Sequence, residues 1–394
     1  MDLKIYKNGT IVSGGRQICG KALLVKDDRI EEILDGDALS RWEASASESG
    51  IHADTVDLDG KYIAPGFIEL HCHGGGVHEF IDGTAEAIEG ACRMHFDHGT
   101  RIMYPTISAT DYITLWRSLA ALEEYVSTAK NCGMIIPGAH LEGPYFVPEA
   151  CGAQDTSVLH APLREEYERL ADRFGKLIAR WSYAPELDPD GTFADFLKAR
   201  GIKGSVGHSA AEYEDVLTAF DHGTECVTHL YSCTSTITRH GGYRHLGIIE
   251  TAYLLDDMYV EAIADGSHLP GPLMKMIIKI KGTDRVCMVT DAVRFAGLDS
   301  TDGLESNGSV PYIIEDGVAK LCDRSAFAGS IATSEMILKN MTAAGIPLED
   351  VVKMRTQTPA EYMGLTEYGT IEKGKKAVFT IFDKDYKNCQ EVNL

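Results

Sequence analysis

Short apolar runs alternate along the chain with amphipathic stretches, and the two patterns predict different elements. Eight runs have the length and composition of buried strands: Gly66–Leu70, Arg101–Thr106, Met134–His140, Lys176–Tyr183, Gly201–Val206, Glu225–Thr228, Met258–Ala264 and Arg285–Thr290. The stretches between them predict helices, among them Tyr112–Asn131, Leu163–Phe174, Ala211–Phe220 and Pro272–Ile280. Eight strands alternating with helices over about 225 residues predict an α/β protein built on a (β/α)8 TIM-like barrel.

Both ends of the chain carry a different pattern, in which apolar and polar residues alternate. The stretches LKIYKNGTIV, KALLVKDDRIEEIL and TVDLDGKYIAPGF predict that the first 65 residues form short strands. Turns are predicted at Asn8-Gly9, Asp35-Gly36 and Asp59-Gly60. Because TIEKGKKAVFTIFDKD near the other end has the same pattern, we predict a small β-sandwich domain from residues 1–64 and 358–394. Residues 65–357 are then the barrel domain.

Composition and charge narrow the classes of function. The chain has 394 residues, of which 44% are hydrophobic and 24% charged, as in an ordinary globular enzyme. Its net charge of −22 disfavours nucleic acid and anionic membranes as partners. No apolar run reaches the ~18 residues of a membrane span, and MDLKIYKNGT lacks a signal-peptide core. With ten cysteines and no C-x-x-C pair, we expect a cytoplasmic protein with free thiols.

Residues that can bind metals or move protons recur just after the predicted barrel strands. Barrel enzymes hold their active sites at this end of the strands. The residues in question are His71 and His73 after the first run, Glu142 after the third, His208 after the fifth, His229 after the sixth, Asp265 and His268 after the seventh, and Asp291 after the eighth. Their repetition at the same position predicts a single site.

The first strand ends in IELHCHGGG, where His71 and His73 are separated by one residue. Side chains at i and i+2 of a strand point to the same face, so both imidazoles can bind a zinc-like divalent cation. A pair of structural histidines would give the same local pattern, but the place on the first barrel strand favours metal ligands.

Three later positions can complete a metal site. Glu142 lies in HLEGPY, His208 in SVGHSA and His229 in CVTHLY. Carboxylate and imidazole are both ligands of divalent metals. Alternatively, Glu142 could be a turn carboxylate and His208 and His229 could be core histidines. Their position at successive strand ends favours metal ligands.

Asp291, in CMVTDAV, and His268, in ADGSHLP, are candidates for the chemistry itself. A carboxylate beside a metal ion can take a proton from water and deliver it to a leaving group. The alternative for Asp291 is a helix N-cap. His268 stands one residue further along than a ligand would, so we expect it to contact a substrate carbonyl.

Six segments, in their order along the chain, resemble the amidohydrolase superfamily and, within it, the N-acetylglucosamine-6-phosphate deacetylases. They are PGFIELHCHG, HLEGPY, GHS, THLY, ADGSH and VTDA. The resemblance runs from about Pro65 to Ser330, and the split β domain extends it to most of the chain.

The resemblance implies a role for each matching residue. It implies one metal ion held by Glu142, His208 and His229, and a second, bridged by Glu142, where His71 and His73 are present. Zinc is the expected ion, with iron, manganese, cobalt and nickel as alternatives. Asp291 matches the general base and acid, and His268 matches the contact to the substrate carbonyl.

The reaction that the resemblance implies is hydrolysis of the N-acetyl amide of an amino sugar 6-phosphate, with release of acetate. It also implies a homodimer in which the neighbouring subunit contributes to the phosphate pocket.

The chain departs from the family where the substrate is held. The family has Asn-Ala-Met after His-Leu-Tyr, whereas this chain has Ser232, Cys233 and Thr234. The phosphate-binding arginine of the family would fall in TRHGGYRHLG, where His240 stands at the aligned place beside Arg239 and Arg244. The predicted substrate contacts are therefore His268, Ser232, Cys233, Arg239, His240, Arg244 and, from the loop after Gly152, Gln154.

Two other classes of function remain open. One is another hydrolase of the superfamily, a cyclic-amide hydrolase or an aminohydrolase, with a different and perhaps unphosphorylated substrate. Cyclic-amide hydrolases typically bridge two metals with a carboxylated lysine, and this chain has Glu142 at the third strand end instead. The other is a non-catalytic barrel that serves as a binding protein, against which the complete set of ligands and Asp291 argues.

Overall fold

An eight-stranded parallel sheet forms the centre of the computed structural model, which describes residues 2–128 and 132–388. In chain order its strands are Phe67–Cys72, Thr100–Ser108, Ala139–Glu142, Ile178–Tyr183, Lys203–Val206, Cys226–Val227, Tyr259–Ile263 and Val286–Val289. Each strand pairs in parallel with the next one along the chain. Every predicted run overlaps one of these strands, and the predicted (β/α)8 barrel is confirmed.

The barrel closes where the first strand meets the end of the eighth. Cys72 and Ala292 form a parallel bridge there. The backbone N–H of Asp291 donates to the carbonyl of His71 at 3.0 Å, and that of His73 donates to Ala292 at 2.8 Å. Closure thus places Asp291 beside the two histidines of the first strand.

Helices follow the strands around the outside of the barrel. Those after the first barrel strand are Ala85–Asp97, Tyr112–Ser127, Arg164–Phe174, Thr192–Ala199, Tyr213–Asp221, Ile248–Leu254, Gly271–Lys281, Ser334–Ala343, Leu348–Arg355 and Gln357–Met363. Short 3-10 turns occupy Phe80–Asp82, Pro148–Ala150, Thr156–Val158 and Pro185–Leu187. The four predicted helices are present, although residues 129–131 at the end of the first one lie outside the described residues.

The third predicted run is placed too early. Met134–His140 was expected to be the strand, but the strand is Ala139–Glu142. Within the earlier part, Ile135 makes only an isolated bridge to Ile102. Pro137 has no backbone N–H to give to a ladder, which explains why regular pairing begins after it. Glu142 is therefore the last residue of the strand.

Two four-stranded sheets pack face to face beside the barrel, as the sequence predicted. One has the order Arg29–Leu34, Ala22–Lys26, Leu3–Lys7, Asp54–Asp57. The other has the order Phe379–Phe382, Tyr62–Pro65, Thr10–Ser13, Arg16–Cys19, so it joins both parts of the chain. Leu23 and Val25 of the first sheet share an apolar core with Ile63 and Phe379 of the second. The domain limits of 64/65 and 357/358 stay predictions, and residues 389–394 lie outside the described residues.

The expectation that strands fill the first 65 residues is wrong for Gly36–Glu48, which is an α-helix. The predicted turn at Asp35-Gly36 is its start: Asp35 Oδ1 accepts from the backbone N–H of Ala38 at 2.8 Å. An aspartate that caps a helix and one that begins a turn look alike in sequence. The helix covers the outer face of the first terminal sheet, where Leu39 and Trp42 pack against Leu3 and Leu24.

A small antiparallel sheet that the sequence did not predict follows the eighth barrel strand. Its strands are Glu305–Ser306, Tyr312–Glu315, Val318–Leu321 and Phe327–Ser330. Ser330 joins it to the barrel, because its backbone N–H donates to the carbonyl of Asp291 at 2.8 Å. Two short hairpins also leave the barrel: Gly74–Gly75 with His78–Glu79, and Thr238–His240 with Tyr243–His245.

Within residues 2–128 and 132–388, no helix combines the length and the apolar character that crossing a membrane requires. The cytoplasmic location stays a prediction. The cysteines of the described part of the chain are free thiols, as expected.

Candidate active site

Six predicted residues meet at the C-terminal end of the barrel: His71, His73, Glu142, His208, His229 and Asp291. Glu142 stands at the centre, with Oε1 3.1 Å from His208 Nε2 and 3.0 Å from His229 Nε2. The same oxygen lies 3.3 Å from His71 Nε2, and Oε2 lies 3.3 Å from His73 Nε2. One carboxylate therefore contacts all four imidazoles.

Asp291 approaches the same group from the eighth strand. Its Oδ1 lies 3.2 Å from His73 Nε2 and 3.5 Å from His71 Nε2. Two sets of three ligand atoms, each set within 4.8 Å, result: His71, His73 and Asp291, and His71, Glu142 and His229. Since His71 belongs to both sets, they form one cluster.

The outer nitrogens of His208 and His229 are held by backbone carbonyls. His208 Nδ1 lies 3.1 Å from the carbonyl oxygen of Ala150, and His229 Nδ1 lies 3.0 Å from that of Ser232. A carbonyl oxygen only accepts, so each Nδ1 must donate its N–H. Both Nε2 atoms then face Glu142, where each can hold a proton or bind a metal ion.

The histidines of the first strand are held in the same manner. His71 Nδ1 lies 3.0 Å from Glu261 Oε2, and His73 Nδ1 lies 2.8 Å from Ser108 Oγ. Metal-binding histidines generally have such a partner on the outer nitrogen, because it fixes the ring and its tautomer. All four imidazoles thus present Nε2 to one point.

These contacts test whether the residues fit a metal ion. The Nε2 atoms of His208 and His229 are 3.2 Å apart, and those of His71 and His73 are 3.3 Å apart. Lone pairs facing each other and a carboxylate at these distances repel unless a proton or a metal cation lies between them. Imidazole nitrogen and carboxylate oxygen form the ligand set of zinc and related divalent ions. The residues fit a divalent cation.

The site also keeps its carboxylates ionised. Burial by itself would raise the pKa of Asp291, but without metal the positive charge of protonated His71 and His73 outweighs burial and lowers the pKa to about 2. Burial likewise opposes ionisation of Glu142, whose pKa is nevertheless well below the usual range because of the histidines around it. At neutral pH, Asp291 can therefore accept a proton.

A cavity of about 380 Å³ opens over this cluster. The predicted contacts Gln154, Ser232, Cys233 and His268 line it. So do Phe327, whose ring centroid is 4.8 Å from that of His268, and Tyr312, both from the sheet that the sequence did not predict. The inserted sheet therefore supplies one wall of the cavity.

Gln154 and His268 are held in fixed orientations. Gln154 Nε2 donates to Glu142 Oε2 at 2.7 Å, and its Oε1 accepts from the backbone N–H of Ala109 at 3.0 Å. Gln154 thus orients the central carboxylate in addition to lining the cavity. His268 Nδ1 lies 2.8 Å from Asp265 Oδ2, an arrangement that leaves Nε2 for a ligand.

Arg239, His240 and Arg244 are not part of this cavity. They lie on the exposed hairpin formed by Thr238–His240 and Tyr243–His245. Moreover, no lysine or arginine is found among the described residues that line the cavity. A phosphate bound there would receive no cationic side chain from the same subunit.

Sequence reasoning missed Glu261 and Ser108, which hold the outer nitrogens of two candidate ligands. Glu261 had a signal, since it is a lone charge in the buried strand Tyr259–Ile263. Backbone strain is a second sign of function that only the structure reveals. His208 (φ 49°), His229 (φ 29°) and Asp291 (φ 50°) occupy the left-handed region, which residues other than glycine adopt infrequently and which is found in turns as well as in functional sites.

Comparison with known proteins identifies the family. The N-acetylglucosamine-6-phosphate deacetylase of Haemophilus influenzae is 32% identical over 359 residues, which cover 90% of this chain and 91% of that protein. The N-acetylgalactosamine-6-phosphate deacetylase of a Shewanella species is 29% identical over 96% of this chain and 93% of that protein. The crystal structure of N-acetylglucosamine-6-phosphate deacetylase from Pasteurella multocida matches with a TM-score of 0.87, 28% identity and coverage of 98% and 97%. Since the sequence model of the amidohydrolase family also matches residues 62–393, the chain belongs to the amidohydrolase family.

Proposed function

We propose that the protein hydrolyses the N-acetyl amide of an N-acetylhexosamine 6-phosphate, with N-acetylglucosamine 6-phosphate as the preferred substrate. The observation that carries this proposal is the cluster of four imidazoles and Glu142 beside the ionised Asp291. Relatives named as deacetylases of amino sugar phosphates support the substrate class.

In the proposed reaction the amide C–N bond breaks and a C–O bond forms between the acetyl carbon and water. The histidines and Glu142 would hold a divalent ion, which would polarise the acetyl carbonyl and lower the pKa of the attacking water. Asp291 accepts the proton of the attacking water and delivers it to the amide nitrogen, which leaves as the amine. His268, with Nδ1 fixed by Asp265, orients the acetyl carbonyl.

For the metal, we propose zinc held by Glu142, His208 and His229, whose ligand atoms lie 3.0–3.2 Å apart. A second ion would use His71 and His73, with Glu142 as the bridge. The support for two ions is that Nε2 of both histidines faces Glu142, which the first set also contacts, and Asp291.

For the phosphate, we propose that Arg239 and Arg244 of a partner subunit complete the cavity in a homodimer. The two arginines are directly opposite each other in the hairpin. Like charges at opposite positions repel, and an anion between them would relieve the repulsion. This proposal agrees with the lack of basic residues among the described lining of the cavity.

A neighbouring substrate is the second candidate. Ser232 and Cys233 line the cavity where the deacetylase family has Asn and Ala, and one relative is named for N-acetylgalactosamine 6-phosphate. The test is an acetate-release assay with the 6-phosphates of N-acetylglucosamine, N-acetylgalactosamine and N-acetylmannosamine, and with the same sugars unphosphorylated. We expect the highest kcat/KM for N-acetylglucosamine 6-phosphate. Equal activity on the unphosphorylated sugars would refute the phosphate requirement.

A further inference from the structure

Two histidines and a glutamate lie together on the surface, outside the barrel site. Glu212 precedes the helix Tyr213–Asp221, and His240 and His245 belong to the two strands of the exposed hairpin. One ligand atom of each residue lies within 4.8 Å of the other two. None of the three lines the cavity of the proposed active site.

The hairpin turn fixes which residues share a face. Gly241 and Gly242 have φ values of 57° and 91°, and two positive values in succession are typical of the tight turns that join adjacent strands. Thr238 then pairs with His245, and His240 pairs with Tyr243. Opposite and alternate residues share a face, so both histidines project to the side of the hairpin away from the two arginines.

Glu212 receives both imidazoles. Its Oε1 lies 2.7 Å from His240 Nε2, and its Oε2 lies 3.1 Å from His245 Nδ1. The ring centroids of the two histidines are 4.6 Å apart. The backbone of Glu212 is anchored by a bridge to Gly247 and by Asp215, whose Oδ2 accepts from its N–H at 3.0 Å.

We propose that Glu212, His240 and His245 form a second metal site, separate from the barrel, that takes a borderline divalent cation such as Zn²⁺. Two imidazoles and one carboxylate, with water in the fourth position, are an established ligand set for this ion. Ligand atoms around tetrahedral zinc are about 3.4 Å apart, so the contacts of 2.7 and 3.1 Å need to open by less than an ångström. The histidines can move that far, because the side chains of His240 and His245 are 63% and 38% exposed.

The site has a structural consequence and does not depend on the proposed function. A bound ion would join the hairpin to the start of the helix Tyr213–Asp221, and so would restrain both. Without metal, the same residues can only share protons between the imidazoles and the carboxylate. Direct measurement of bound metal distinguishes a zinc site from a cluster that holds only protons.

The experiment uses the full chain with its barrel site already loaded with zinc. The protein is dialysed against metal-buffered Zn²⁺, and bound zinc is counted for the wild type and for His240→Ala/His245→Ala. We expect the wild type to bind one more ion per chain than the double variant. Equal counts in the two proteins would overturn the proposal.

A second measurement identifies the residues by chemical modification. Diethyl pyrocarbonate modifies unprotonated imidazoles, and mass spectrometry reports modification of the peptide that carries His240 and His245. We expect Zn²⁺ to protect this peptide but not His222, which contacts only one carboxylate, Asp195, at 2.9 Å. Unchanged modification of His240 and His245 with Zn²⁺ would overturn the proposal, as would undiminished protection in Glu212→Gln.

Discussion

Glu261 Oε2 lies 3.0 Å from His71 Nδ1, and neither residue has any exposed surface. The same oxygen accepts from the backbone N–H of His229 at 3.2 Å, while Oε1 is paired with Arg180. The Glu261 carboxylate, on the seventh strand, therefore orients the ring of His71 on the first strand and the backbone of His229 after the sixth strand. Its charge is balanced by the Arg180 guanidinium and is not available to the cavity.

The first prediction concerns Glu261→Gln. The amide keeps the shape but loses the charge that fixes the His71 ring, so we expect metal affinity and kcat/KM to fall about 10- to 100-fold. The measurement is a zinc titration with a competing chelator, followed by kinetics at saturating metal. The matched control is Glu225→Gln, which alters an exposed carboxylate that pairs with Lys203. A metal affinity equal to that of the control would contradict the role of Glu261.

The second prediction is the pH dependence of the stability that the Glu261 carboxylate gives to the fold. Burial would raise the pKa of Glu261, but Arg180 and His71 lower it to about 2, below its value in the unfolded chain. A lowered carboxyl pKa stabilises the fold at pH values above the unfolded pKa, and this stability is lost as pH falls through the folded pKa. The contribution is about 3 kcal/mol. We expect the difference in unfolding free energy between wild type and Glu261→Gln to shrink from about pH 5 toward pH 3.

Urea unfolding at a series of pH values measures this difference. Because zinc binding itself depends on pH, both proteins should be compared with zinc removed. A difference that stays constant down to pH 3 would show that the charge of Glu261 is not what stabilises the fold.

The third prediction separates proton transfer from metal binding. Asp291→Asn removes the base but leaves Glu142, His208 and His229 intact. We expect turnover to fall about a hundred- to ten-thousand-fold, while the zinc held by those three residues is retained. Steady-state kinetics and metal analysis of the same preparation provide the two values, with the exposed Asp299→Asn as control. Near-normal turnover in Asp291→Asn would rule out its assignment as the base.

The fourth prediction tests the phosphate contact. Arg239→Ala/Arg244→Ala should raise KM for the phosphorylated sugar with little change in kcat, because the arginines bind a group remote from the amide. KM for the unphosphorylated sugar should not change. Arg173→Ala, which removes an exposed arginine paired with Glu123, is the matched control. If the double variant behaves like this control on both substrates, the phosphate is bound elsewhere.

The sequence predicted the barrel and its six central residues because strand ends in a barrel converge. His71, Glu142 and Asp291 are far apart along the chain, yet each marks the end of an apolar run. The partners of these residues were not predictable in the same manner. Glu261 and His71 are 190 residues apart and meet only because the seventh and first strands face the same interior.

Local patterns failed where the elements are short or their signals are shared. The strand Glu305–Ser306 has two residues, too few for an alternating pattern. Asp35 was interpreted as a turn residue, although it caps the helix Gly36–Glu48. The assignment of Arg239 and Arg244 to the phosphate stays a prediction, because both lie on a hairpin outside the cavity of their own chain.

Acetate release by metal-free and metal-restored protein tests the central claim most directly. The protein is stripped with a chelator, assayed on N-acetylglucosamine 6-phosphate, and assayed again after addition of zinc. We predict no release above background without metal, and recovery of acetate and free amine in equal amounts with zinc. Undiminished release by the stripped protein, or none by protein shown to have zinc in the barrel, would contradict a metal-dependent deacetylase.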